Sequence, residues 1–372
     1  MTNGQADFLK KDIRRYLIDM LLPMVLIPNS ISTNSIDCAD QKLICSNGIT
    51  LLRDLCEYGF IMDNKNSDIW NELCSTVISW PITFRKKVEE LLFRLHNSGR
   101  ITKYKELFNG SEKCTNNICK FCIGLAKASH PHTIVVNKDC SLCSREQIPE
   151  SVEICDILEY PISKYSEYRD NPLIPIHLSD GEWNQNDFEN KILIAIFKYA
   201  KSVKIIDRYI GKLWKNEQKS NSYNLSPNYR LALKWIIEAF INYCINKETA
   251  VFEIYTGFDC ENESIEINEQ KVAELRKFEV ELKDIYKFNF KLHIKKEIHD
   301  RSKEMPHGRF IFTNQIGLLI ERGFDLLWNN KKMKEKGKNP KKDPRPIRDV
   351  SISYCKDKAK IERDIRKLED YK

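Results

Sequence analysis

Apolar positions in the first hundred residues recur mostly at helical spacing. Phe8, Leu9, Ile13, Tyr16, Leu17, Met20 and Leu21 fall at i, i+3, i+4 intervals and predict an amphipathic helix over 6–22. The same spacing predicts helices near 48–58 (Ile49, Leu51, Leu52, Leu55) and 83–97 (Phe84, Val88, Leu91, Leu92, Leu95). Phe60–Asn64 reads as a short strand and turn between them. The most apolar run, Leu21–Pro28, carries two prolines and reads as buried packing. This first region is therefore expected to be mostly helical. A stretch without period follows over 157–185, with Pro161, Pro172, Pro175 and Gly181 in it. Restricted X-Pro conformations and the glycine predict loop there, and hence a boundary.

Beyond that stretch, helical and strand patterns alternate. Helices are predicted over 187–200, 227–246 and 268–286, the last with Asn268 as N-cap. Strands are predicted over 203–206, 250–255 and 290–294. Then 309–313 and 318–320 read as a hairpin, 350–354 as a closing strand and 357–371 as a charged helix. Alternation implies right-handed crossovers and a largely parallel sheet, and the hairpin adds antiparallel strands. The expected organisation is a mostly helical N-terminal domain over 1–160 with a Cys-rich segment at 114–155, a linker over 161–185, and an α/β domain with a mixed sheet over 186–372. In fold-class terms this is α+β joined to α/β.

Cysteine spacing adds chemistry to the first domain. Cys119-x-x-Cys122 is followed, after seventeen residues, by Cys140-x-x-Cys143. Two such pairs at this separation direct four thiolates at one ion and predict a zinc-ribbon-like structural zinc site. His130 or His132 can replace one thiol, and Cys114 lies nearby. A closed shell of four ligands leaves no position for catalysis. The thirteen cysteines and the polar N-terminus fit a cytoplasmic protein of thiols better than an exported disulfide framework. No run approaches the roughly 20 apolar residues of a membrane-spanning helix.

Charge adds a partner. The net charge is +7, and the segment 331–348 alone holds nine Lys or Arg against Glu335 and Asp343. Such a block attracts the phosphates of nucleic acid or anionic lipid, or forms a solvated loop. Lys331 and Lys332 open it. Trp214, Trp235 and Trp328 read as packing. Asp54, Glu57, Asp63, Asp68 and Glu72 are scattered carboxylates, and a metal nuclease site would need several of them to converge in the fold.

The last constellation is His307-Gly308-Arg309-Phe310-Ile311-Phe312-Thr313-Asn314, followed by Glu321-Arg322-Gly323-Phe324-Asp325. It resembles the motif of the phospholipase D superfamily, which has His-x-Lys, four residues and Asp; this chain holds His, Arg and Asn at that spacing. The order of elements over roughly 187–356 is similar to the divergent phospholipase D-like C-terminal domain of MIT-domain proteins, and Asp207-Arg208-Tyr209-Ile210 resembles that branch's first strand end. The resemblance implies a phosphodiesterase-like protein, with His307 as nucleophile and Arg309 as phosphate clamp. Asn314 stands where an Asp orients a partner His, and Arg322 is a further phosphate ligand. An amide there places turnover in question. A single motif implies a homodimer sharing one site. His299, in His299-Asp300-Arg301, is a second candidate, but no strand follows it. Two functions follow as expectations. One is a metal-independent nuclease or nucleic-acid binder, in defence or in a mobile element. The other is an inactive module that binds anionic lipid headgroups.

Overall fold

The computed structural model describes residues 21–33, 38–64, 69–104, 117–129, 131–136, 148–170, 175–215, 223–259, 264–298 and 304–371. The helix expected over 6–22 lies almost wholly outside them. The described chain forms two compact units that divide between Pro172 and Leu173. Among the described residues no helix is long and apolar enough to cross a membrane.

The first unit is organised by a parallel sheet. Its strands are β1 (Leu22–Leu26), β2 (Gly59–Asn64), β3 (Ile101–Tyr104), β4 (Thr133–Val136) and β5 (Glu153–Asp156), in the order β3-β2-β1-β4-β5. Every adjacent pair is parallel. Helical residues still outnumber strand residues in this unit, in α1 (Cys38–Tyr58), α2 (Ile69–Ile78), α3 (Ile82–Asn97), α4 (Asn117–Ser129) and α5 (Lys164–Asp170). The expectation of one short strand misses the sheet. Its central strands are buried on both faces, so they read as unbroken apolar runs without a period of two. Leu22, Met24, Val25 and Leu26 are all buried, as are the four residues of β4. The run Leu21–Pro28 is thus the middle strand rather than generic packing. Leu51, Leu52, Leu55, Leu73, Trp80, Val88 and Leu95 cover the sheet in one cluster. Arg100 closes α1, donating to the carbonyls of Gly59 (2.6 Å), Glu57 (3.1 Å) and Leu55 (3.3 Å), where a cation complements the helix C-terminus.

The second unit begins inside the stretch read as loop, with β6 (Ile176–Leu178) as an edge strand. A helix over 185–197, α6, follows and contains a π-helical segment at Glu189–Leu193. The next elements are β7 (Ser202–Ile206), a two-stranded ribbon of β8 (Trp214–Lys215) and β9 (Tyr223–Asn224), α7 (Pro227–Tyr243), β10 (Val251–Asp259), α8 (Ile265–Tyr286) and β11 (Phe290–Glu297). Then come β12 (Phe310–Thr313), β13 (Gly317–Ile320), α9 (Asn330–Glu335), β14 (Val350–Tyr354) and α10 (Lys358–Lys367). The N-cap of α8 is Ser264, four residues before the expected Asn268, which is buried within the helix.

Seven strands form one mixed sheet in the order β11-β10-β7-β12-β13-β14-β6. The β7-α7-β10-α8-β11 half is parallel and the rest antiparallel, as the alternation of patterns predicts. Leu233, Trp235, Ile236 and Phe240 of α7 and Leu275, Phe278 and Leu282 of α8 are buried. Each such side chain contributes about 1.5–3 kcal/mol relative to exposure. Ile365 of α10 and the following Leu368 pack with Ile206, Phe310 and Phe312. The chain end then runs along the outer strand. Lys296 N–H donates to Glu369 O (2.9 Å), Tyr371 N–H donates to Ile294 O (2.7 Å), and Lys295 pairs with Asp370.

Candidate functional site

Strand direction gathers the chemistry of the second unit at one edge of its sheet. The parallel strands β7, β10 and β11 end there. β12 starts there, with Phe310 opposite Ile206. By the same registers β13 ends there and β14 begins there. The carboxyl edge of parallel strands is where open α/β sheets hold ligands, because loops rather than helices cover it.

Asp207 ends β7 and is fully buried. Its carboxylate accepts from Tyr209 N–H (2.8 Å) and Phe324 N–H (3.3 Å), and from the Tyr229 hydroxyl. Burial pushes its pKa up to about 6, against the lowering effect of those bonds and of Arg309. Burial likewise holds Tyr229 in its phenol form, helped by the charge of Asp207. Gly323 makes this contact accessible. Its φ is +83°, and a Cβ there would lie 2.9 Å from Asp207 Oδ2 and 3.1 Å from Arg309 Cγ. The Arg-Gly of the motif is therefore built into the site by backbone conformation.

Arg309 stacks over Tyr209, with its guanidinium carbon 4.3 Å from the ring centroid, and donates from Nη1 to Glu321 O (2.8 Å). Arg208 is held from the other side. Its Nη2 donates to Glu297 (2.5 Å), a carboxylate only 3% exposed whose pKa is raised by burial. Its Nη1 lies 3.1 Å from Nδ1 of His307. The His307 side chain is 75% exposed and also faces Glu304 at 3.6 Å. The turn carrying Arg208, Arg208–Gly211, lies against β10: Gly211 N–H donates to Thr256 Oγ1 (2.7 Å), and a Cβ on Gly211 would meet Gly257 O at 2.5 Å.

Further along the edge, Arg322 pairs with Asp349 at 2.5 Å and Arg348 with Asp325. Arg309 Nε, Arg322 Nε and Asp325 Oδ1 are buried atoms with no hydrogen-bond partner among the described residues. Three such atoms at one edge leave hydrogen-bonding capacity open there. His307 also borders a cleft of about 880 Å³ shared with Met305, Lys360, Ile361 and Lys367.

The expected residues divide accordingly. His307 and Arg309 stand together at the start of β12, and Arg322 stands at the same edge. Asn314 does not. It lies at the other end of β12, where its Oδ1 accepts from Lys201 N–H (2.7 Å) and Ser202 N–H (3.3 Å). Four β residues at about 3.3 Å each separate the two ends, so Asn314 fastens the start of β7 instead of orienting a histidine. Lys331 is 85% exposed; Lys332 pairs with Asp180 (2.5 Å) and covers Trp328. His299 lies outside the described residues. Glu297 and Tyr229 are residues at this edge that sequence reasoning missed, and Arg208 was noted only as part of the strand-end segment 207–210. Glu297 is 89 residues from Arg208 and His307 is 99, so only the fold shows the pairing.

In the first unit Cys119 and Cys122 are buried on α4, which packs against β1 and β2. The Cys122 thiol is raised well above its ordinary pKa by burial, then by Cys119 and Asp63. Cys140 and Cys143 lie outside the described residues, as do Cys114 and His130. His132 packs edge-on against Tyr165. Among the described residues no three His, Cys, Asp or Glu side chains form a metal-binding group. Asp54 accepts from Tyr160, a packing role. Compared with protein-family models and with curated proteins, the chain finds no match in either.

Proposed function

We propose that residues 173–372 form a phosphodiester-binding module of phospholipase D-like type whose ligand is a nucleic-acid strand. Arg208, His307 and Arg309 are its centre. The observation that carries this reading is the pairing of Arg208 with His307. Glu297 anchors one guanidinium nitrogen, and the other is held 3.1 Å from an exposed imidazole. Arginine presents a planar fork suited to two phosphate oxygens, and the imidazole beside it reaches the same group. Lys331, Lys334, Lys336, Lys338, Lys341 and Lys342 are exposed and add sequence-independent attraction.

Binding without cleavage is favoured over turnover. A phospho-histidine step forms an Nε2–P bond, breaks the P–O bond to the leaving strand and needs an acid to protonate that oxygen. Asn314, at the far end of β12, orients no such acid. The test is a titration of labelled single-stranded and duplex DNA and RNA in EDTA, across a salt series. Wild type should bind with a negative salt slope and leave the strands intact. Arg208→Ala should weaken binding about tenfold, the loss of one charge-assisted contact. Cleavage abolished by His307→Ala would instead establish the enzyme. Binding unchanged by both Arg208→Ala and Arg309→Ala would refute the site. Binding to anionic vesicles but to no nucleic acid would make the ligand a lipid headgroup.

A further inference from the structure

Arg345 is 8% exposed. Its guanidinium donates to Trp328 O (2.8 Å), Asn330 Oδ1 (2.5 Å) and Pro340 O (3.3 Å), all neutral acceptors. Among the described residues it faces no carboxylate. In the same unit Arg208, Arg230, Arg276, Arg322 and Arg348 each pair with one. A buried cation without a counter-charge carries a desolvation cost that proteins ordinarily offset by pairing. Burial alone lowers the Arg345 pKa, in keeping with the absence of a nearby anion.

The side chain opens on a cleft of about 510 Å³ lined by Ser226, Pro227, Asn228, Leu231, Asn329, Asn330 and Lys331. The lining holds two cations, three amides and a hydroxyl, and no carboxylate. The 17-residue helix α7 starts there without a side-chain cap, so its first N–H groups and the positive end of its dipole add to the same potential. The volume falls within the range of roughly 300–1,000 Å³ usual for small-ligand sites.

We propose that this cleft is an anion site for a phosphate group, carried either by a free nucleotide or by the end of a nucleic-acid strand. Arg345 supplies the positive charge and its remaining N–H groups, and its three neutral bonds hold the guanidinium in place before the ligand arrives. Lys331 closes over the phosphate from the rim. The inference stands on Arg345 and its cleft and does not depend on the role of His307.

The experiment uses the full chain and measures thermal shift and calorimetric binding. The probes are inorganic phosphate, AMP, succinate, and one oligonucleotide with either a 5′-phosphate or a 5′-hydroxyl. Phosphate-bearing probes should bind and raise the melting temperature by mass action, and succinate should bind more weakly. Lys331→Glu changes an exposed residue and leaves the fold intact. It should weaken AMP binding by about tenfold or more. Arg345→Lys keeps the charge and removes the fixed guanidinium geometry, with a similar loss; Lys331→Glu decides the matter if that variant misfolds. The AMP binding that Lys331→Glu removes should persist in His307→Ala, where any loss reports only on the separate edge site. A preference for the 5′-phosphorylated oligonucleotide over AMP names the strand end as the source, and the reverse names the nucleotide. The proposal is overturned if no phosphate-bearing probe binds, or if Lys331→Glu binds AMP as well as wild type. Loss of binding in His307→Ala, with none in Lys331→Glu, also overturns it and leaves the His307 site standing.

Discussion

Burial raises the Asp207 carboxyl to about 6, while an unfolded aspartate titrates near 3.9. Between those values the folded chain keeps a proton that the unfolded chain has released. Stability therefore falls as pH rises through the window and stays lower above it, by about 3 kcal/mol. Asp207→Asn removes the ionisation, keeps one acceptor for Tyr209 N–H and loses the one for Phe324 N–H, a cost that does not vary with pH. Its stability relative to wild type should rise between pH 4.5 and pH 7 in urea unfolding; a constant difference would show that the carboxyl is not perturbed. Asn314 gives a second residue-level expectation. Asn314→Ala leaves two backbone N–H groups at the start of β7 without their acceptor and should cost about 1–3 kcal/mol. The proposed phosphate site should be unaffected, and a selective loss of binding would place Asn314 back in it. At this scale the sequence reveals types and spacings but not depth. His307 and Arg309 stand out as a motif, and Arg345 looks like any member of a basic block until its burial is known.

At the level of elements, legibility followed the flanking pattern and not strand length. Strands β7, β10, β11, β12, β13 and β14 were readable because helices or tight turns bracket them. Strands β1, β3, β4 and β5 are four or five residues long and carry no alternation that separates them from loop or buried helix. The π-helical segment in α6 has no sequence signature at all. The same elements bear on the expected zinc. Cys122 lies beside Asp63, near the carboxyl end of β2, and Cys140 follows Val136 of β4 by four residues of chain. Cys119 and Cys122 are thus placed beside β2, while Cys140 and Cys143 lie outside the described residues. Protein purified in reducing buffer should carry about one zinc per chain, lost in Cys119→Ser together with part of the stability of the first unit. Elemental analysis without zinc would leave Cys119 and Cys122 as two buried core thiols.

For the molecule as a whole, each unit has its own sheet and its own core, and the two sheets differ in kind. The order β3-β2-β1-β4-β5 reverses direction between β1 and β4, which is the arrangement that opens a crevice at the carboxyl ends of neighbouring strands. No expectation from sequence anticipated this, because strand order depends on contacts between residues far apart in the chain. The α/β character of the second unit and its mixed sheet were anticipated from the alternation of helix and strand patterns.

The open sheet of the second unit has two rims where backbone groups lack a neighbouring strand. On one side the rim is β6, only three residues long and so a poor template for another chain. On the other it is β11, eight residues long, and there residues 368–371 lie against its second half. Residues 369–371 thus occupy backbone groups along half of this edge. Removing residues 368–372 would bare a continuous row of amides and carbonyls able to recruit an identical row from another copy. Light scattering on such a truncation should show concentration-dependent assembly while the intact chain stays unchanged. A truncation that remains monomeric at high concentration would mean that charge on β11, from Lys291, Lys295 and Lys296, suffices to keep copies apart.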